Sequence, residues 1–215
     1  MTTVLTITKA LDAAARLATG RLWHLVLTCK GPFMVNDWSH KPPPEGSDGE
    51  RIQLKAQRRG EATPELPGTS LMGALRARAE WLARVEALKA GEDQEAPADV
   101  PDPVERLFGT TGAAALLRLE RLTAKSGCDL DTVTSVVIDR FSGAPIDNKL
   151  FTSEVFVDPV FEAGLSLDTD RAEEEDESQI EKLLKNLEAE GLTLGHGANK
   201  GFGWFEVEVM GGDDA

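Results

Sequence analysis

Two internal stretches of this chain carry a helical apolar period and lie between runs rich in β-favouring residues. That alternation constrains the fold more than any other feature. The first helical stretch follows a Pro67-Gly68 turn, with Thr69 or Ser70 as its cap, and places Leu71, Leu75, Trp81, Leu82 and Val85 on one stripe. The second, ESQIEKLLKNLEAEG, places Ile180, Leu183, Leu184 and Leu187 on one face, with Gly191 as its stop. Residues 21–29, RLWHLVLTC, read as a strand buried largely on both sides. The segment VERLFGTTGAAALLRLERLTA gives a brief helical turn, a glycine loop and a second strand, and the run from Thr134 to Asp168 gives two more around an excursion at Phe141–Asn148. A last strand follows Gly203.

The resulting order is β–α–β–β–α–β, so the predicted fold class is α+β, of the ferredoxin-like or split βαβ kind. Additional pieces flank this core. Residues 4–18 read as a short amphipathic helix with Ile7, Leu11, Ala14 and Ala18 on its apolar side, making residues 1–20 a helical extension. Residues 36–65 form a long polar loop containing three consecutive prolines, with ERIQL a short strand inside it. Residues 90–103 are an acidic, proline-rich loop insertion, and 211–215 an acidic tail. All 215 residues fit a single domain.

Charge is unevenly distributed. Residues 1–90 hold 13 Lys/Arg and 9 Asp/Glu, a net of +4, whereas residues 91–215 hold 10 and 28, a net of −18. The total of −14 opposes nucleic-acid binding, but local sign decides a binding groove. Glu92–Glu105 and Asp168–Glu181 read as solvated acidic segments. Two cysteines without a CxxC give neither a disulfide framework nor a zinc site, consistent with a reducing cytoplasm. No run of about 18–20 apolar residues is present, so no membrane span is expected.

Three constellations can carry chemistry. At the start of the first helix, Gly68, Thr69 and Ser70 precede Arg76 and Arg78. Free N–H groups and the helix dipole there attract anions, and arginine forks suit phosphate. The plain alternative is a Ser/Thr cap with solvated arginines. The glycine-rich run from Gly195 to Gly203 contains Asn199, Lys200 and Gly201 and lets backbones approach closely. Asp139, Arg140 and Phe141 then sit at a projecting hairpin, or form a local ion pair. The three histidines have no metal-ligand spacing.

Four of these segments resemble, in order, the motifs of the RAMP superfamily: LPGTSLMGALR (66–76), LFG (107–109), IDRFSGAPIDNKLFTSE (138–154) and LGHGANKGFGWFEV (194–207). The resemblance covers about residues 21–210 and is to backbone subunits of type III CRISPR effector complexes. It implies a ferredoxin-like, RRM-related core with a thumb-like hairpin near Phe141–Asn148. The implied partners are a guide RNA (crRNA), a target RNA and other RAMP-type subunits. The implied RNA-binding residues are Gly68, Thr69, Ser70, Arg76, Arg78, Arg140, Phe141, Asn199, Lys200 and Gly201.

Catalytic members of this group cut target RNA with an aspartate before the helix-opening motif and a divalent metal. By that resemblance Asp48 is the first choice for catalysis and for holding Mg2+ or another divalent cation, and Asp37 the second. Asp48-Gly49 is equally an ordinary turn dipeptide. Two alternatives stand beside this reading. One is a stand-alone CRISPR RNA-processing endoribonuclease of the same superfamily, with His40 as its candidate. The other is a non-catalytic scaffold whose acidic half recruits a basic protein.

Overall fold

In the computed structural model, which describes residues 20–40, 52–60, 62–91, 102–125 and 128–214, strand β1 (Gly20–Cys29) is central. Trp23, Leu25, Leu27 and Cys29 are buried, whereas Leu22, His24, Val26 and Thr28 are only half-buried. The expected burial of both sides is therefore corrected: helices cover one face of the sheet. Helix α1 (Gly68–Ala90) places Leu71, Leu75 and Ala79 there, beside Ile180, Leu183 and Leu187 from the second long helix. Phe33, Phe161 and Phe205 close this core, with Phe33 edge-on to both partners at 5.4 Å. Truncating one such leucine to alanine costs about 2–5 kcal/mol.

The other strands of this sheet are β6 (Leu117–Ala124), β9 (Val160–Asp168), β10 (Leu192–Thr193) and β11 (Trp204–Asp214). They lie in the order β10-β11-β1-β9-β6, with every neighbouring pair antiparallel. Leu25 faces Val209 on one side and Ala163 on the other. Leaving aside the short β10, the core strands run fourth, first, third, second, which is the ferredoxin-like arrangement.

Helix termini differ from expectation in two places. Pro67, not Thr69 or Ser70, is the N-cap of α1, and no side chain caps it. Both hydroxyl residues lie in the first turn and are exposed. The second long helix, α3 (Glu174–Glu190), begins earlier than its apolar stripe indicated. Glu173 and Asp176 form a reciprocal capping box, and four acidic residues in the first turn suit the positive end of the helix dipole. Part of the expected solvated acidic segment is thus structural. Asp176 is fully buried against Arg106 of the short helix α2 (Pro103–Phe108).

A hairpin is inserted between β6 and β9. It consists of β7 (Asp129–Ile138) and β8 (Pro145–Val157), so the run from Thr134 to Asp168 holds parts of three strands rather than two. The excursion is residues 139–144, shorter than the expected Phe141–Asn148. Strand β8 also pairs with β2 (Pro32–Phe33) and, in parallel, with β3 (Ile52–Leu54). The predicted strand in the long loop is therefore real. Two-residue strands β4 (Arg58–Arg59) and β5 (Thr63–Pro64) pair with each other within that loop. A second small core, built from Met34, Ala56, Val155, Phe156 and Phe202, fastens the hairpin base to this loop and to the glycine-rich run.

The predicted 4–18 helix, and residues 92–101 of the acidic insertion, lie outside the described residues. The expected tail is continuous with strand up to Asp214, which faces Arg21.

Candidate nucleic-acid interface

The hairpin is a projecting thumb. Its tip is closed by Asp139, whose Oδ1 accepts the N–H of Phe141 at 2.9 Å, the N–H of Ser142 at 2.7 Å and the Ser142 hydroxyl at 3.0 Å. The Ser142 and Phe141 N–H groups hold the Asp139 carboxyl below the usual aspartate range. Asp139 is thus a turn former and not the local partner of Arg140. With the turn pinned, Arg140 is exposed and Phe141 stands 93% exposed at the apex. Val136, Ile138 and Leu150 add further exposed apolar surface along the hairpin.

The glycine-rich run packs on the root of this thumb. His196 donates its N–H to the Met34 carbonyl at 2.8 Å, and Gly203 donates to the Pro32 carbonyl at 2.8 Å. Gly203 has φ +70°, and a Cβ there would collide with the Leu194 carbonyl at 1.9 Å. Gly195, at φ +86°, would strike the Met34 carbonyl at 2.4 Å. These glycines serve close backbone packing, which leaves a 3-10 turn, Ala198–Lys200, on the outside. Asn199, Lys200 and Gly201 are exposed there, and Lys200 forms no ion pair among the described residues.

Arg76 and Arg78 do not face outward as expected. Arg76 donates to the Gly109 carbonyl at 3.0 Å and to Glu80 at 3.0 Å. Arg78 donates to Asn186 at 3.1 Å and to the Gly191 carbonyl at 3.3 Å, with its guanidinium 5.7 Å from the Trp81 ring centre. Both arginines fasten α1 to its neighbours, because the carbonyls ending α2 and α3 lack helical partners and the forks supply them. The alternative of freely solvated arginines is corrected accordingly. The first turn of α1 retains Gly68, Thr69 and Ser70 at its surface, beside β6, where a Cβ on Gly68 would lie 2.8 Å from Leu119.

The exposed face of the five-stranded sheet is an unsuitable place for a phosphate chain. Glu206, Glu208 and Glu162 flank Val26 and Thr28 there, and Lys30 and Lys125 are held by Glu206 at 2.7 Å and Glu162 at 3.3 Å. Base stacking on an RRM-type sheet needs aromatic side chains in a basic setting. On the thumb and around its root, by contrast, Arg140, Phe141 and Lys200 stand exposed.

Asp48 lies outside the described residues. Asp37 is in a tight turn, where its Oδ1 accepts the Ser39 hydroxyl at 2.6 Å and the Ser39 N–H at 2.9 Å. These bonds hold its carboxyl below the usual range. His40 closes the same turn, donating its N–H to the Asp37 carbonyl at 3.1 Å. Among the described residues no three His, Cys, Asp or Glu side chains gather where they can hold a metal ion.

Among the described residues, no helix is long and apolar enough to cross a membrane. Comparison with known proteins agrees with the fold. No curated protein matches the chain by sequence. Among solved structures, a chain of a "Type IV-B CRISPR Complex" is similar, with a TM-score of 0.58 and 19% sequence identity over 88% of this chain and 90% of that one. A model of the RAMP superfamily matches residues 19–206. With the motifs in order and a ferredoxin-like core carrying an inserted thumb, the chain belongs to the RAMP superfamily.

Proposed function

We propose that this chain is a guide-RNA-binding backbone subunit of a CRISPR effector ribonucleoprotein, of the type III kind that its motifs resemble. The observation that carries this reading is the thumb. An apolar-tipped hairpin with Phe141 93% exposed is rooted, through one small core, in the same corner as the glycine-rich loop. A strand of RNA lying across that root meets Lys200 and Asn199 at its phosphates and the Arg140–Phe141 tip between its bases. The likeness in fold to a chain of a type IV-B complex supports an assembled role, with copies or related subunits side by side.

Phosphate contacts release counterions, so affinity falls linearly with salt on a logarithmic scale. The chain alone binds RNA weakly, and the assembled particle holds its guide with strong salt dependence. The test is to isolate the particle from cells that carry the complete system and to sequence the RNA within it. A repeat-derived guide of uniform protected length supports the reading. A particle free of RNA, or an affinity that ignores salt, overturns it. Target cleavage, where it occurs, is assigned to the loop aspartates, Asp48 first and Asp37 second, with a divalent cation.

A further inference from the structure

A tryptophan exposed for 88% of its surface is unusual, because burying an aromatic ring removes about 150–250 Å² from water. Trp38 is not loosely placed. The Asp37 N–H is bonded to the Lys55 carbonyl at 2.8 Å, and the Asp37 carboxylate takes both donors of Ser39. The backbone on either side of Trp38 is thereby fixed, and the exposed ring lines a cleft of about 610 Å³. Lys55, Gln57 and Arg58 line the same cleft. Lys55 forms no ion pair among the described residues. Arg58 is steadied by the buried Glu154 at 3.3 Å while keeping 24% of its side chain exposed. Of the two acids in the cleft, Asp37 is bonded to Ser39 and Glu65 faces Arg59 at 3.7 Å.

We infer that this cleft is a nucleotide subsite, in which one unstacked base of a single RNA strand lies on the Trp38 ring while its phosphates meet Lys55 and Arg58. The inference rests on the RNA-binding reading above and adds a site to it. The exposed ring offers a stacking platform, and every base has a π-face to place on it. The Gln57 amide supplies both a donor and an acceptor for a base edge. Ala56, between Lys55 and Gln57, belongs to the small core that roots the thumb. The cleft therefore sits at the thumb base, where a strand leaving the glycine-rich loop arrives.

The test uses the full chain and a fluorescent single-stranded oligouridine, titrated at several salt concentrations. Trp38→Ala is expected to weaken binding by about 5- to 150-fold with the salt slope unchanged. Trp38→Phe, which keeps a π-face, stays within a few-fold of the parent. Lys55→Ala flattens the salt slope by about one phosphate contact. Parent-like affinity of Trp38→Ala overturns the subsite and leaves the RNA-binding reading standing. A parent chain that binds no RNA, alone or assembled, overturns both. Loss of a neighbouring subunit from the assembled particle on Trp38→Ala, at unchanged RNA affinity, also overturns the subsite and assigns the ring to a protein contact. Urea unfolding of each variant separates these outcomes from misfolding.

Discussion

The Arg106 guanidinium meets the fully buried Asp176 carboxylate at 2.9 Å, joining α2 to the first turn of α3. Glu173 and Glu175 lie 3.3 and 3.5 Å from the same guanidinium. Removing one partner of a buried pair strands the other charge out of water. Arg106→Ala is therefore expected to cost about 3–5 kcal/mol, seen as a lower urea midpoint. The double variant Arg106→Met with Asp176→Asn recovers part of that loss, since no buried charge remains and the amide oxygen can still accept the Glu173 N–H.

Arg78→Ala is expected to lower stability by about 1–3 kcal/mol, because the Gly191 carbonyl and the Asn186 amide lose their donor. The slope of RNA affinity against salt should not change. Lys200→Ala should give the opposite pattern, with unfolding unchanged and the slope reduced by about one contact. Anisotropy titrations on both variants decide the matter.

Phe141 touches little of its own chain, so Phe141→Ala should alter unfolding by less than about 0.5 kcal/mol. Its effect is expected on a paired target strand, where loss of the tip weakens binding or changes the spacing of displaced bases. Chemical probing of target bases in the assembled particle measures this directly.

The thumb tip should respond to acid. Asp139 has a depressed folded-state value, held down by the Ser142 and Phe141 N–H groups. Its contribution is present above the unfolded value of about 3.9 and disappears as pH falls through the lower folded value. The protection of the Phe141 and Ser142 amides from exchange, taken relative to their intrinsic rates, should fall below about pH 4. Asp139→Asn should remove that pH dependence.

Target cleavage, if the particle shows it, should stop with Asp48→Ala and with chelation of divalent cations, while assembly and guide content stay the same. Continued cutting by Asp48→Ala, together with loss in Asp37→Ala, moves the role to Asp37. Labelled target RNA incubated with each particle reads both.

The core was legible in the sequence because burial imposes a period. Leu25, Leu27, Leu71, Leu75, Ile180 and Leu183 each fall where the pattern places them, and the strand order follows from short, un-knotted connections. What was illegible depends on distant partners. Nothing near Arg76 or Arg78 reveals that Gly109 and Gly191 present carbonyls to them. Asp176 sits in a run of acids that reads as solvated, and the charge that offsets its burial comes from Arg106, 70 residues away. The thumb's length was misjudged because β7 is exposed on both sides over much of its course and so carries little apolar period. Trp38 was overlooked although a lone aromatic in a polar loop was a usable signal.

The chain departs into the thumb from β6 and returns by β9, and those two strands are already neighbours in the sheet. The palm can therefore close its hydrogen-bond ladder whatever the length of the excursion between them. Reach is thus an independent variable of this architecture. A finger lengthened or shortened by pairs of residues would reset the interval at which successive copies touch a bound strand, with the register of the sheet beneath it intact.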